Sequence, residues 1–495
     1  FTQKIPLLRT WTKDNPLVQI DDSIAPHAGD AVIVKQYPSA FFGTNLQCNL
    51  RAINVDTCII IGCSTSGCIR ASVLEGMQHG FRCIVPRECV GDRTESIHEA
   101  NLFDMNAKNG DVVAKHVVMD YLSQLDIACT GERQTKKMKM TSETAGSEAK
   151  TEVDVPPTSK SDNLVNYKGV FDGGLGFGAK SAIIVIDFTK AYTTPGSKFF
   201  CGGKGFGVVD AVAESKPLLD LARSKGMPIF YTTVYFEHPS DGGVFTQKIP
   251  LLRTWTKDNP LVQIDDSIAP HAGDAVIVKQ YPSAFFGTNL QCNLRAINVD
   301  TCIIIGCSTS GCIRASVLEG MQHGFRCIVP RECVGDRTES IHEANLFDMN
   351  AKNGDVVAKH VVMDYLSQLD IACTGERQTK KMKMTSETAG SEAKTEVDVP
   401  PTSKSDNLVN YKGVFDGGLG FGAKSAIIVI DFTKAYTTPG SKFFCGGKGF
   451  GVVDAVAESK PLLDLARSKG MPIFYTTVYF EHPSDGGVFT QKIPL

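Results

Sequence analysis

The chain has 495 residues, of which 42% are hydrophobic and 21% charged, and a formal net charge of −3. That length suggests two to four domains, and so even a charge balance gives no reason to expect nucleic acid or an anionic membrane as partner. No apolar run is long enough to span a membrane, and no secretory signal pattern opens the chain, so a cytoplasmic protein is expected. Sixteen cysteines fit that reading. Most sit inside apolar strand-like runs such as Thr301–Cys307, as buried free thiols do in a reducing compartment. No Cys-x-x-Cys pair points to a zinc ribbon or a thioredoxin-type centre.

Residues 1–251 are identical to residues 245–495, a repeat with a period of 244 residues. The repeating unit is the size of a whole domain, which excludes a solenoid. The polar, Lys-, Ser-, Thr- and Pro-rich segment around 132–165 cannot bury a core and marks the unit boundary, with Met140 as a start and Lys139 as an end. Residues 140–383 then form one complete unit. Residues 384–495 are the front of a second unit and residues 1–139 its back. Separate natural copies drift, so perfect identity favours a fusion, permutation or concatenation of one 244-residue protein. Disorder is expected over 128–139, 140–170 and 372–383.

Within the complete unit, Ser181–Phe188 is a continuous apolar run, as in a strand buried on both faces. Val208–Lys225 has helical spacing and ends at Gly226-Met-Pro228. Ile229–Phe236 is a second strand, 237–270 a long loop, and Ala275–Tyr281 a third strand. Gly287–Asn298 reads as a helix, Thr301–Cys307 as a strand, Gly311–His323 as a helix and Arg326–Pro330 as a strand. Ser340–Asn350 reads as a helix and Val356–Val362 as a sixth strand. This alternation predicts an α/β, three-layer αβα, Rossmann-like fold around a mostly parallel six-stranded sheet, present in two copies, one contiguous and one split. Ligands in such sheets bind at the carboxyl ends of the strands.

Three chemistry-bearing residues fall at those ends. Asp187 ends the first strand, Lys279 ends the third, and Cys312 follows the fourth at a helix start. Singly, each has an ordinary role as a turn carboxylate, a solvated lysine or a small buried residue. Together they suit nucleophilic catalysis: a thiol that must lose its proton, a carboxylate to take it, and a lysine to hold the carboxylate. A helix N-terminus is expected to favour the thiolate. Gly311 allows close backbone approach, and Ser308, Thr309 and Ser310 offer hydroxyls and amides where an oxyanion would form.

Ile186-Asp187-Phe, Val278-Lys279, Ser283-Ala-Phe-Phe-Gly-Thr288 and Ser308-Thr-Ser-Gly-Cys312-Ile-Arg-Ala resemble the isochorismatase-like cysteine hydrolases. Asp187–Ser197, Gly242–Pro250 and Cys333-Val-Gly-Asp-Arg337 resemble the branch that holds the N-carbamoylsarcosine and maleamate amidohydrolases. The resemblance covers roughly residues 170–365 of each unit. It implies an Asp187–Lys279–Cys312 triad and a cis peptide at Cys307–Ser308. It also implies an oxyanion hole from the amides of Ser308 and Cys312, and substrate contacts by Arg337 and Thr309. The split unit would match with Asp431, Lys35, Cys68, Ser64, Arg93 and Thr65, carried on opposite ends of the chain.

The implied reaction is hydrolysis of a linear amide or N-carbamoyl group of a small acid through a cysteine thioester. The implied partner is a small-molecule amide or ureido acid, with no cofactor, and the units would form a dimer or tetramer. Nicotinamidases of the family carry an Asp-x-His metal motif. Here the corresponding stretch reads Glu237-His238, so no catalytic metal is expected. Isochorismatases proper lack the cysteine. The rival readings are a ureido- or biuret-type amidohydrolase on the same scaffold and an inactive binding module.

Overall fold

The structure, a computed structural model, describes residues 4–125, 167, 170–171, 173–238, 240–369, 411–481 and 485. The unit boundary at Lys139 and Met140 and the segments 128–139 and 372–383 lie outside those residues. In chain order the strands are β1 (Ala31–Lys35), β2 (Thr57–Cys63), β3 (Arg82–Pro86), β4 (Val90–Gly91), β5 (Asp111–Val113), β6 (Ser181–Ile186) and β7 (Ile229–Val234). They continue with β8 (Ala275–Lys279), β9 (Thr301–Cys307), β10 (Arg326–Pro330), β11 (Val334–Gly335), β12 (Asp355–Val357), β13 (Ser425–Ile430) and β14 (Ile473–Val478).

These strands make two parallel sheets. One runs β12-β10-β9-β6-β7-β8, with β11 paired to β9, and comes wholly from the contiguous unit. The other runs β1-β14-β13-β2-β3-β5, with β4 paired to β2. Its strands come from both ends of the chain: Ser425–Ile430 pairs in register with Thr57–Gly62, and Ala31–Lys35 with Phe474–Val478. The two end segments therefore assemble the split unit. Each sheet carries one short strand beyond the six expected.

The central strands form because their side chains are apolar on both faces. Every residue of β6 and of β9 is buried. Alternate residues serve two helical layers: Ile184 and Ile304 pack with Leu290, Val317 and Met349, whereas Ile183 and Ile303 pack with Val212, Leu219 and Val362. Burying each such isoleucine contributes about 1.5–3 kcal/mol.

Several expected bounds change for local reasons. The sixth strand is confined to β12, and Lys359–Ser367 is a helix whose Val362 and Leu366 are buried one turn apart. The helix expected from Gly287 starts at Leu290, because Gly287 takes φ +69° and Thr288 Oγ1 bonds the Ala284 carbonyl and receives the Leu290 N–H. The helix expected from Gly311 starts at Arg314, after a turn over Thr309–Ile313 in which Gly311 is not helical. The long loop 237–270 contains a helix, Gly243–Lys248, and three 3₁₀ turns. Of the segment 140–170 only Tyr167 and Val170 are among the described residues, and both are buried.

The two units are packed together through reciprocal contacts. Ala71, Leu74 and Met77 of the split unit join Ala315, Leu318 and Met321 of the contiguous one in a shared apolar cluster. Lys248 reaches Asp111 and Lys4 reaches Asp355 across the seam, at 2.7 and 2.6 Å. Such exchange of identical contacts is the signature of an isologous pairing.

Candidate active site

The carboxyl ends of β6, β8 and β9 bring the three expected residues together. Asp187 follows β6 with φ +51°, a left-handed conformation that few non-glycine residues adopt and that aims its carboxylate over the sheet edge. Thr232, on β7, fixes it: the Thr232 hydroxyl donates to Asp187 Oδ1 at 2.7 Å and accepts the Asp187 amide at 3.2 Å. Lys279, the last residue of β8, places Nζ 2.8 Å from Asp187 Oδ2 and 3.4 Å from Cys312 Sγ. It also donates to the carbonyls of Tyr281 and Pro282. Asp187 and Lys279 are 1% and 0% exposed, whereas Cys312 stays partly accessible. The ion pair is thus sealed, and Cys312 is the one residue of the three that keeps some exposure.

The split unit repeats the arrangement. Lys35 lies 2.7 Å from Asp431 Oδ2 and 3.4 Å from Cys68 Sγ, and Thr476 donates to Asp431 Oδ1 at 2.8 Å.

Electrostatics set the resting proton distribution. Burial pushes the Cys312 thiol up; Lys279 pulls it down and the Asp187 carboxylate, which accepts from the thiol, pushes it up again, to about 12. Cys68 behaves alike. Burial and the neighbouring carboxylate outweigh the lysine, so the thiol is held above its ordinary value, against the lowering expected from a helix start. Burial alone would lower Lys279, but Asp187 and Cys312 hold it above its ordinary value as an ammonium.

The nucleophile loop is built around a cis peptide at Cys307–Ser308, with its twin at Cys63–Ser64. Gly306 precedes it at φ +133°, and a Cβ there would lie 2.0 Å from the Ile186 carbonyl oxygen. Only glycine lets β9 press so closely on β6. The Cys307 thiol donates to the Asp187 backbone carbonyl at 3.0 Å, tying the nucleophile loop to the backbone that carries the carboxylate. Gly311 and Ile313 donate to the Ser308 carbonyl, and the Ser310 amide donates to Asp336 Oδ2 at 2.6 Å.

Thr309 is fully buried, and its hydroxyl is engaged with His342 Nδ1 at 2.8 Å, as Thr65 is with His98. Arg337 makes no contact with the triad. Its guanidinium donates to the carbonyls of Lys198 and Phe199 at 3.4 and 3.3 Å and lies against the rings of Tyr411 and Phe415 from the other unit. Arg93 mirrors it with Tyr167 and Phe171.

Four supporting residues are given no role by the sequence motifs, although Asp336 and Tyr192 lie within them. Asp336 anchors the loop, and Thr232 orients Asp187. His342 holds Thr309, and burial pushes its imidazole down to about 4, so it stays neutral. The Tyr192 phenol, raised by burial, lies within the field of Cys307, Cys312 and Asp187. His342, Asn345, Asp348 and Lys352 recur at helical spacing in Glu339–Lys352, a polar stripe that is buried. That spacing is visible in the sequence, but it usually marks a solvated face. Glu237 and His238 are exposed, and no group of three or more potential metal ligands occurs among the described residues.

The isochorismatase domain model matches residues 2–116 and 181–360. Maleamate amidohydrolase of Pseudomonas putida is 48% identical over 206 residues, covering 41% of this chain and 95% of that protein. N-carbamoylsarcosine amidase of Arthrobacter is 38% identical over 213 residues, covering 42% of this chain and 78% of that protein. A cysteine hydrolase structure from Pseudomonas syringae pv. phaseolicola covers 39% of this chain and 94% of its own, with 20% identity and a TM-score of 0.37. With its matched segments spanning both the contiguous and the split unit, the chain belongs to the isochorismatase family.

Proposed function

We propose that each unit hydrolyses a linear amide or N-carbamoyl group of a small carboxylate-bearing molecule, of the maleamate or N-carbamoylsarcosine kind, and releases ammonia. The observation that carries this reading is the close approach of a buried carboxylate, a buried ammonium and the thiol of the partly exposed Cys312. As the thiol attacks the carbonyl carbon, its proton passes to Asp187. Lys279 stays charged and compensates the negative charge that moves from carboxylate to sulfur and then to the carbonyl oxygen. The amides of Ser308 and Cys312 receive that oxygen. Collapse of the tetrahedral intermediate breaks the C–N bond, and the proton on Asp187 leaves with the nitrogen as ammonia. Water then gives a proton to Asp187 and its oxygen to the thioester carbon, and the thiol is restored. The cysteine pair Cys312 and Cys68 forms the thioesters.

The relatives named for maleamate and N-carbamoylsarcosine support an acidic substrate. So does Arg337, whose hydrogen bonds to backbone are long enough to exchange for a carboxylate. The test is ammonia release from maleamate, N-carbamoylsarcosine, ureidoacrylate and biuret. Turnover of either of the first two is expected. Turnover of only the ureido compounds would replace the substrate class, and no turnover of any would contradict the reading.

A further inference from the structure

The stretch just before each nucleophile is gripped by the other unit. Ser310 stands two residues before Cys312. Its carbonyl accepts Arg70 Nη2 at 2.7 Å, and its hydroxyl contacts Lys108 Nζ; both cations belong to the split unit. The grip is reciprocal: Arg314 Nη2 reaches the Ser66 carbonyl at 2.6 Å, and Lys352 contacts the Ser66 hydroxyl.

The gripping groups are themselves held rigidly. Arg70 Nη1 donates to Asn101 Oδ1 and Asp104 Oδ2 at 2.7 and 2.9 Å, and Lys108 pairs with Asp104 at 3.2 Å. Asn101 and Asn345 each cross the seam, to Asp348 and Asp104, both at 2.8 Å. Arg70, Asn101 and Asp104 are almost wholly buried, so the cluster is a buried network with fixed directions. A small cavity between the units, lined in part by Ser66, Arg70, Ser310 and Arg314, leaves the two loops facing each other.

We propose that Arg70 and Lys108 are positioning residues for Cys312, and Arg314 and Lys352 for Cys68, so that each site depends on the opposite unit for the pitch of its nucleophile loop. This rests on the thioester reading above. The Ser310 amide is fixed from its own unit by Asp336, and the Ser310 carbonyl and hydroxyl from the other. Three directional bonds on one residue fix the backbone that leads into Gly311 and Cys312. If the cross-unit pair is lost, the loop can rotate about Gly311 and carry the sulfur and the Cys312 amide off the line of attack. Misplacement of about 1 Å costs roughly 10²-fold in rate. The loss should fall on kcat, because neither Arg70 nor Lys108 reaches the triad.

The experiment uses the full chain with one nucleophile silenced and maleamate as substrate. In the Cys68→Ala chain, where only Cys312 acts, Arg70→Met should lower kcat at least tenfold with KM changed less than threefold, and should do so more than Arg314→Met. In the Cys312→Ala chain the order should reverse. Arg70→Lys should recover part of kcat, as a single donor replaces a fork. If Arg70→Met fails to fold, Lys108→Met and Ser310→Ala carry the same comparison. The same order of effect in both backgrounds, or equal loss from both arginines, would overturn the proposal. Failure of the thioester reading is distinguishable, because the Cys68→Ala, Cys312→Ala chain would then still turn over.

Discussion

Lys279 Nζ lies 3.4 Å from Cys312 Sγ, and Lys35 Nζ lies the same distance from Cys68 Sγ. Yet the thiol is pushed up, to about 12 at both sites. Burial and the carboxylate beyond the lysine prevail over the ammonium. On the proposed mechanism, attack is then coupled to transfer of the thiol proton.

This gives an opposed pair of outcomes for one substitution. Asp187→Asn with Asp431→Asn removes the charge that raises the thiol and leaves Lys279 and Lys35 to lower it. Turnover should fall at least ~10³-fold, since the proton acceptor is gone. Alkylation of Cys312 and Cys68 by iodoacetamide at pH 8 should become several-fold faster than in the parent chain. Slower alkylation in the double variant would refute the assigned proton distribution.

Lys279→Met would leave Asp187 as an unpaired buried carboxylate. Breaking such a pair costs about 3–5 kcal/mol. Denaturant unfolding should show a loss of that order, and combining it with Asp187→Asn should recover part of it. A loss below ~1 kcal/mol would show that the pair is not sealed as the geometry indicates.

His98 and His342 introduce acid sensitivity. Burial depresses both imidazoles to about 4, below the unfolded value near 6.5. Between those limits the unfolded chain binds protons that the folded chain does not. Stability is therefore fully present above pH 6.5 and is lost as pH falls toward 4, by up to ~1.4 kcal/mol per pH unit for each histidine. In His98→Gln, His342→Gln the unfolding midpoint should fall less steeply over that window, and an unchanged slope would contradict the shift.

Arg337→Ala with Arg93→Ala tests the acidic-substrate proposal. Activity on maleamate should fall at least ~10²-fold through KM, while a neutral linear amide of similar size should lose less than threefold. Equal loss on both would make Arg337 a structural residue, held by Tyr411 and Phe415 across the seam.

The central strands were legible in the sequence because they rest on local signals, and so was the meeting of Asp187, Lys279 and Cys312 at their ends. Thr301–Cys307 is apolar at every position except Thr301 and Gly306, and each triad residue sits at or just after a strand end. The supporting network was not legible. Arg70 and Lys108 act on Ser310 across 240 and 202 residues of sequence, and Thr232 acts on Asp187 across 45. His342, Asn345 and Asp348 have the spacing of a solvated helix face, and contacts with Thr309 and Arg314 of the same unit and Asn101 and Asp104 of the other make that face an interior. Val356–Val362 misled in a different way: its valines serve first a short strand and then a helix stripe, and Ala358, at ψ 147°, separates the two.

The measurement that bears most directly on two complete thiol sites, one drawn from both ends of the chain, is maleamate turnover per chain in four proteins. These are the parent, Cys312→Ala, Cys68→Ala and the double variant. The account predicts about half the parental kcat in each single variant and none in the double. Residual turnover in the double variant, or complete loss in either single one, would contradict it.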